Sequence, residues 1–335
     1  MVSKTPALAL VLALACLGLI VLLSAPAARA ACDDPPPPVR DIIADRFYVD
    51  TASSIADKAI IARNKTALAT IDRTLITILA MEDRGFAGDR VSSACAARWL
   101  LNWAKGGAML GHMSSQQAKV ERKWRTAGMA VGYLKIRGSL EPADQATIDA
   151  WMNALGDHVV ADQGWPARRN NHVYWAGFAA GAVGTATGAA RLLDYSRRAF
   201  DAGMSDIRPD GTLPLELARR QKALDYTNHA LAPLVMAAEL AALRGEDWYG
   251  HGDGAIHRLA ARVLAGLRDP KGFAALAGEP SVDVPRGGLL GWLAFYRLRF
   301  PDRVDGAPAG VPSGPFHYPW LGGDLTLTAN AWVKR

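Results

Sequence analysis

The sequence predicts an all-α fold, and three of its features support this prediction. Apolar residues recur at helical spacing through most of the chain, in stretches that are rich in Ala and Leu. No stretch of strand length alternates apolar and polar residues as a half-buried strand does. The connections are short and carry Gly, Pro, Asp or Asn, which favours helical hairpins that pack against their neighbours.

Four predicted helices precede a fifth of unusual composition. The four cover residues 55–80, 93–110, 121–136 and 142–160. The fifth covers residues 176–193 and reads AGFAAGAVGTATGAARLL. Because its side chains are so small, this helix is predicted to pack closely among other helices.

Four further helices are predicted in the second half of the chain. They cover residues 213–223, 226–243, 255–267 and 288–300. Residues 206–211 and the pair Arg244-Gly245 are the clearest connections between them. No internal repeat is visible in the sequence, and the length alone does not decide between one domain and two.

Residues 1–30 are predicted to be a secretory signal peptide. Lys4 precedes an apolar run over residues 7–23, and Ala28-Arg29-Ala30 forms an A-x-A cleavage site. A retained membrane anchor is the alternative, because the apolar run approaches the length that spans a bilayer. The cleavage site favours the signal peptide, so no membrane association is expected after cleavage.

Export would place the cysteines in an oxidising compartment. Cys16 leaves with the signal peptide, and Cys32 and Cys95 are then free to pair. This bond would hold the proline-rich arm at residues 35–38, which is expected to have little else to hold it, and would add about 4 kcal/mol of stability. Neither cysteine has the spacing of a metal site, so no metal ligand is assigned.

The charge of the chain suggests an acidic partner. The formal net charge of +6 falls to about +4 without residues 1–30, and such an excess suits long-range attraction of a polyanion. It lacks the concentrated basic patch of a nucleic-acid binder. The sequence contains neither a phosphate-binding Gly-rich loop nor a zinc-protease helix, so a nucleic-acid partner is not expected.

A polar and aromatic cluster, RRNNHVYW at residues 168–175, directly precedes the small-residue helix. Amides and an imidazole at a helix N-terminus lie beside unsatisfied backbone N–H groups and attract an anion such as a carboxylate. For single residues other interpretations stay open, since Asn170 or Asn171 could cap the helix and His172 could be a satisfied buried histidine. Together these residues predict the centre of a site.

Two segments carry a resemblance to a known family. NNHVYW at residues 170–175 resembles the signature of the alginate lyases of polysaccharide lyase family five. DGTLP at 210–214, followed by ELARRQKALDY at 216–226, is similar to that family's E-L-x-R-R-Q-x-A-L-x-Y segment. RKW at 122–124 and LGGD at 321–324 match more loosely, so the resemblance spans most of residues 31–335.

The resemblance implies a fold, a location and an activity. The fold would be an incomplete α/α toroid of helical hairpins with a central substrate cleft, built as one domain over residues 31–335. The protein would be periplasmic and would cleave mannuronate-rich alginate without a metal or organic cofactor. A role within an alginate biosynthesis or secretion complex is a further expectation.

Cleavage of a uronate polymer by β-elimination makes three chemical demands. The C6 carboxylate must be neutralised, the C5 proton removed and the O4 leaving group protonated. Asn171 and His172 suit the first task as hydrogen-bond donors at a helix N-terminus. Arg219 and Tyr226 suit the others, because on one continuous helix they would share a face about 10 Å apart.

The arginine is expected to help the tyrosine ionise, since a nearby positive charge favours the phenolate. The family resemblance implies that Tyr226 serves both as base at C5 and as acid at O4. The alternatives are a salt-bridged or surface role for Arg219 and simple packing for Tyr226.

Further residues are candidates for substrate binding. Phe47-Tyr48 falls where the family carries a Lys-Tyr pair on a flexible segment that covers the cleft, so Tyr48 is a candidate lid residue. Phe47 replaces the lysine and removes one positive contact. The aromatic candidates, which are expected to stack on sugars or to pack within the protein, are Trp124, Tyr174 and Trp175. The basic candidates, which are expected to bind carboxylates or to be exposed to solvent, are Arg122, Lys123 and Arg168.

Other functions remain open from the sequence. The lyase could act on another polyuronate such as glucuronan. A glycoside hydrolase would need two carboxylic acids across the scissile bond, and the matched segments offer Glu216 and Asp225 but no obvious pair. A non-catalytic polysaccharide-binding protein would use the same cleft without cutting the chain.

Overall fold

The structure is a computed structural model that describes residues 32–304 and 312–334. From Asp34 onward, the described residues form one compact unit. The predicted signal peptide at residues 1–30 lies outside the described residues. Across the described ranges, no helix is both long and apolar enough to cross a bilayer.

Helices dominate the described chain, which confirms the all-α prediction. In chain order they are α1 Lys58–Phe86, α2 Arg90–Gly106, α3 Gln116–Ile136, α4 Pro142–Gln163, α5 Asn171–Thr187, α6 Ala190–Asp206, α7 Pro214–Leu217, α8 Ala223–Leu243, α9 His251–Arg268, α10 Pro270–Leu276, α11 Leu293–Arg299, α12 Pro301–Val304 and α13 Leu325–Val333. Two short antiparallel strands, β1 His317–Tyr318 and β2 Gly323–Asp324, pair near the C-terminus.

Successive helices pack as neighbours around α5. Helix α1 packs on α2, α3 on α4 and α8 on α9, while α5 contacts α3, α4, α6 and α8. The small residues of α5 allow this close approach. A Cβ atom on Gly177 would lie 2.5 Å from the Cβ atom of Ala199, and one on Gly181 would lie 2.4 Å from Ser196 Oγ. The predicted close packing of this helix is therefore confirmed.

Side-chain caps fix where several helices begin. Asp57 accepts hydrogen bonds from two backbone N–H groups at the start of α1, and Asp89 does the same for α2. Ser115 caps α3 and Asn170 caps α5. Each cap satisfies N–H groups that have no partner inside the helix, and the last of them sets the start of the helix that carries the predicted site.

Two helix predictions need correction at glycine or strained positions. The predicted helix 176–193 is two helices, because Gly188 adopts a left-handed conformation with φ 77° and ends α5. The predicted helix 213–223 is a single turn, α7, followed by a 3₁₀ turn at Arg220–Lys222. Arg220 has φ 56°, a conformation that a continuous helix does not allow.

Cys32 and Cys95 are both disulfide-bonded, which confirms the predicted disulfide. The expectation that little else holds the N-terminal arm is wrong. Met109 donates a backbone hydrogen bond to Val39, and Ile42 donates one to His112, at 2.9 and 3.0 Å. Backbone pairing therefore fixes residues 39–42 against the segment that follows α2.

Candidate active site

The N-terminus of α5 brings two of the predicted catalytic residues to the site. Asn170 is the helix cap, because its side chain accepts a hydrogen bond from the His172 N–H group at 3.1 Å. Asn171 has a different role, since its backbone N–H and its Nδ2 donate to Glu216 Oε1 at 2.8 and 2.9 Å. The open question of which asparagine caps the helix is thus resolved in favour of Asn170.

Glu216 is the buried carboxylate that organises this side of the site. Its side chain is 1% exposed, and burial raises its pKa although Arg219 and Asn171 lower it. Its second oxygen lies 3.6 Å from Arg219 Nε. A buried carboxylate is stable only when partners surround it, so Glu216 fixes the positions of Asn171 and Arg219 together.

Asn171 is more enclosed than a ligand-binding residue was expected to be. It is fully buried, and its Oδ1 atom has no hydrogen-bond partner among the described residues. Glu216 occupies its backbone N–H and one amide hydrogen. One amide hydrogen therefore remains for a ligand, and the ligand reaches it only if the surrounding side chains move.

Arg219 and Tyr226 come together without sharing one continuous helix. The expectation that both project from one helical face is wrong, because the chain breaks at residues 218–222 and Tyr226 lies in the first turn of α8. The break instead places the Arg219 guanidinium carbon 4.3 Å from the Tyr226 ring centroid. This is a cation–π contact, and the arginine side chain is 12% exposed.

The hydroxyl group of Tyr226 is bonded to a residue from the N-terminal segment. It donates to the Tyr48 hydroxyl oxygen at 2.8 Å. Burial, and then the proximity of Tyr48, raise the pKa of Tyr226, although Arg219 acts to lower it. Arg219 thus acts in the expected direction, but burial outweighs it, so the pKa of Tyr226 is raised in the free protein.

A short hairpin at residues 47–57 carries Tyr48 to this position. Tyr48 and Ala56 form an antiparallel bridge, and Asp50 accepts hydrogen bonds from the backbone and hydroxyl of Ser54. Gln221 donates to the Ser54 carbonyl at 3.1 Å and ties the hairpin to the 3₁₀ turn. Tyr48 thus lies over Tyr226, where a lid residue is expected.

His172 is a neutral imidazole in this structure. Burial lowers its pKa well below the usual value, and the charges of Lys123 and Arg219 act in the same direction. Lys123 Nζ donates to the His172 carbonyl at 3.0 Å and to Gln163 Oε1 at 2.9 Å. Nδ1 of His172 is buried and has no partner among the described residues, so the ring has an unused hydrogen-bonding group.

His229 is a site residue that the sequence reasoning missed. Its ring lies 5.8 Å from Tyr226, 5.0 Å from Trp175 and 5.7 Å from Trp124, measured between centroids. Burial lowers its pKa to about 3, so it is neutral. The available signal was its position three residues after Tyr226, which places both on one face of α8.

The C-terminal segment contributes aromatic residues that were also missed. Trp320 stacks on Trp124 with ring centroids 4.3 Å apart and planes 13° apart, and Tyr318 lies 5.4 Å from Trp320. Both are only partly buried. Nothing in the local sequence indicates this contact, although Trp320 directly precedes the loosely matching LGGD segment.

Several predicted substrate contacts are occupied by the protein itself. Trp175 is fully buried, and Tyr174 is 2% exposed with its hydroxyl bonded to Asp206. Arg122 is 3% exposed and pairs with Asp162. These three residues therefore pack in the core and are not free to bind a polymer.

Of the other predicted contacts, Lys123 and Trp124 are buried and Arg168 is exposed. Lys123 is 3% exposed, so it is buried under the site and acts on it through its charge. Trp124 is 8% exposed and mostly covered by Trp320. Arg168 is exposed at the mouth of a cavity. Within residues 32–304 and 312–334, no group of three or more His, Cys, Asp or Glu side chains is arranged to hold a metal ion.

Comparison with solved structures supports the predicted toroid. A complex of an alginate lyase A1-III variant with a tetrasaccharide superposes with a TM-score of 0.78 at 24% identity, covering 92% of this chain and 88% of that one. Alginate lyase A1-III from Sphingomonas species A1 gives a TM-score of 0.72 over 89% of this chain and 86% of that chain. The incomplete α/α toroid is thereby confirmed as the fold.

Sequence comparison identifies the family. The alginate lyase family profile matches residues 49–273. A polysaccharide lyase of Stenotrophomonas maltophilia is 44% identical over 94% of this chain and 95% of its own length. An alginate lyase of Azotobacter vinelandii is 35% identical over 82% of this chain and 76% of its own length. The chain therefore belongs to the alginate lyase family.

Proposed function

We propose that this protein cleaves mannuronate-rich alginate by β-elimination and leaves a 4,5-unsaturated uronate at the new end. The observation that carries the proposal is the contact chain from Asn171 through Glu216 and Arg219 to Tyr226. It joins hydrogen-bond donors for a carboxylate to a proton-carrying hydroxyl group. Membership of the alginate lyase family supports alginate as the substrate.

The donors neutralise the substrate carboxylate. Glu216 holds both Arg219 and Asn171 near the N-terminus of α5, which adds partial positive charge, and His172 lies in the first turn of the same helix. As the C5 proton leaves, negative charge moves onto the carboxylate and the hydrogen bonds that it accepts strengthen. Preorganised donors of this kind stabilise the transition state more than the ground state.

Tyr226 carries the proton. In mannuronate the C5 hydrogen and the O4 atom lie on the same side of the ring, so one group can take the proton from the first and return it to the second. The carrier must start as a phenolate. Burial and then Tyr48 raise the pKa of Tyr226 in the free protein. Displacement of Tyr48 by the polymer would remove the second cause, and Arg219, 4.3 Å from the ring centroid, would then favour the phenolate.

The structure disfavours the hydrolase alternative. A hydrolase needs two carboxyl groups that face the scissile bond. Glu216 is 1% exposed and its Oε1 atom is occupied by Asn171, while Asp225 lies 3.8 Å from Lys222. Neither carboxyl group is free in the way that an acid or a nucleophile requires.

A lyase for a different polyuronate, such as glucuronan, is the second candidate. Two observations favour it. Phe47 stands where the resemblance implies a lysine, so a positive contact to alginate is missing, and the 44%-identical relative is described as a polysaccharide lyase without a named polymer. The same residues would perform the elimination, so the two candidates differ in binding.

One assay tests the proposal and separates the candidates. The purified protein is incubated with polymannuronate, polyguluronate and glucuronan, and the ultraviolet absorbance of the unsaturated product is followed. We expect the fastest increase with polymannuronate. An increase with glucuronan alone would establish the second candidate, and no increase with any uronate polymer would overturn the β-elimination proposal.

We also propose a periplasmic location, on the basis of the signal peptide predicted at residues 1–30. Sequencing the N-terminus of the protein recovered from a periplasmic extract tests this proposal. The expected first residue is Ala31. Recovery of the intact N-terminus in the membrane fraction would contradict the proposal and support a retained anchor.

A further inference from the structure

Two neighbouring arginines in the loop at residues 164–170 differ in what they bind. Arg169 is committed to Asp206, with hydrogen bonds of 2.8 and 3.3 Å. Arg168 is exposed and forms no hydrogen bond or ion pair within the part of the chain that the structure describes. Because an unpaired guanidinium binds carboxylates well, Arg168 is a candidate contact for an acidic ligand.

The same loop exposes Trp165 beside Arg198, a second arginine without an ion pair in the described part of the chain. Trp165 is 46% exposed, which is unusual for so large an apolar side chain. The Arg198 guanidinium carbon lies 5.4 Å from its ring centroid, and Tyr195 packs edge-on at 5.9 Å. Arg198 forms no ion pair within the described residues, so an aromatic surface and a free positive charge lie side by side.

The loop is held in place, so these groups are presented from a fixed support. The Tyr195 hydroxyl donates to the Gly164 carbonyl at 3.3 Å, and the Arg169–Asp206 pair anchors the other end. Asn170 then caps α5. Groups that need no rearrangement bind at a lower entropic cost, which favours a binding role for the loop.

A cavity of about 290 Å³ lies beside this loop and reaches Glu216. Its walls are Arg168–Asn170 on one side and Leu213–Glu216 on the other, with Tyr174 and Asp206 between them. Glu216 is the residue that holds Asn171. Arg168 therefore lines a cavity that also borders the residue which positions Asn171.

We propose that Arg168, Trp165 and Arg198 form an outer binding site for uronate units of the polymer, remote from the bond that is cut. One unit places its carboxylate on Arg168 in the cavity. A unit further out packs its apolar ring face on Trp165 and pairs its carboxylate with Arg198. This inference rests on the proposed function, because it takes an acidic polysaccharide as the ligand.

Chain length is the variable that tests the outer site. The variants Trp165→Ala, Arg168→Gln and Arg198→Gln are assayed with long polymannuronate and with the shortest mannuronate oligomer that the wild type cleaves. We expect KM for the long polymer to rise roughly tenfold in each variant. KM for the short oligomer and kcat for both substrates should not change, because a short substrate does not reach the loop.

Arg191→Gln is the matched control. Arg191 lies on α6 two turns before Arg198, is similarly exposed and pairs with Asp157, so its loss changes the net charge equally. An equal rise in KM in this control, an equal effect on both substrate lengths, or no effect would overturn the proposal. Trp165→Phe should restore most of the affinity that Trp165→Ala loses.

A binding measurement separates this proposal from the catalytic one. Calorimetric titration of polymannuronate into each variant, combined with Tyr226→Phe so that the polymer is not cut, reports the outer site whether or not the wild type cleaves the polymer. Weaker binding in the three loop variants than in Arg191→Gln supports the site even if no unsaturated product forms. Undiminished binding overturns it even if cleavage is confirmed.

Discussion

Two parts of the active site meet at Arg219 and are built in opposite ways. One part, the Glu216 cluster, comprises Asn171, Glu216 and Arg219 and is joined by charged, buried contacts. The other, the Tyr226 cluster, comprises Tyr48, Tyr226 and His229 and is neutral, with a single hydrogen bond between the two hydroxyl groups.

The difference indicates a division of labour. The Glu216 cluster is fixed before a ligand arrives, as is expected of groups that stabilise developing charge. The Tyr226 cluster is joined by one hydrogen bond to a hairpin far away in the sequence, and burial first and Tyr48 second raise the pKa of its central tyrosine. We therefore propose that the first cluster binds the carboxylate and stabilises charge, and that the second transfers the proton.

Removal of the proton carrier should have the largest effect. Tyr226→Phe keeps the ring and its contact with Arg219 but loses the hydroxyl group, so kcat should fall by roughly 10²- to 10⁴-fold. KM should change little, because the binding groups are intact. Steady-state rates from product absorbance check this. Near-normal turnover would contradict the assignment and make His172 the candidate base.

The next largest effect is expected in the Glu216 cluster. Asn171→Ala removes a donor and leaves Glu216 buried with one partner fewer, so kcat should fall about 10²-fold and the melting temperature should also fall. Kinetics and thermal unfolding are measured on the same sample. A normal kcat with reduced stability would show that Asn171 is structural only.

A smaller loss is expected when the charge of Glu216 is removed but its shape is kept. In Glu216→Gln the side chain can still accept from Asn171, but Arg219 loses its ionic partner, so kcat should fall roughly tenfold. The Tyr226 cluster should be unaffected. Glu279→Gln is the control, since Glu279 pairs with the exposed Arg220. Equal losses in both variants would contradict a special role for Glu216.

The smallest expected effect is a pH dependence of KM that arises from the buried Lys123. Burial lowers the pKa of Lys123 to about 7, so its positive charge is lost as the pH rises through that value. KM for the anionic polymer should therefore rise a few-fold across this range. Lys123→Met should abolish this rise. Lys119→Met, which removes a more exposed lysine of α3, should not.

The same lysine predicts a stability change with a definite sign. The unfolded chain holds the Lys123 proton up to about pH 10, whereas the folded protein releases it near pH 7. The free energy of unfolding of the wild type should therefore rise between these values relative to Lys123→Met. Denaturant unfolding at several pH values measures this difference, and a parallel pH dependence would contradict the buried charge.

The sequence predicted the fold well where local signals were strong. Helical spacing located most helices, and the composition of α5 predicted its central position. Helix breaks were missed where the cause is a single backbone conformation, as at Gly188 and Arg220. The spacing between Arg219 and Tyr226 was therefore interpreted with the wrong geometry, although the two residues do meet.

The site was predicted less completely, because burial is a property of the whole fold. Trp175 and Arg122 looked like ligand contacts in the sequence, but core packing and Asp162 occupy them. His229 and Trp320 were missed because their importance depends on contacts with Trp124. The raised pKa of Tyr226 likewise depends on burial first and then on Tyr48, which is far away in the sequence.

The central claim is that Tyr226 carries the proton and that Arg219 controls its ionisation. The most direct test is the pH dependence of kcat in Arg219→Lys, with Asn171→Ala as the reference. A shorter lysine leaves less positive charge at the ring, so the phenolate should form at a higher pH, and the rise of kcat should move to higher pH. Asn171→Ala should lower kcat without moving the rise. An unshifted profile in Arg219→Lys, or the same shift in both variants, would contradict the account.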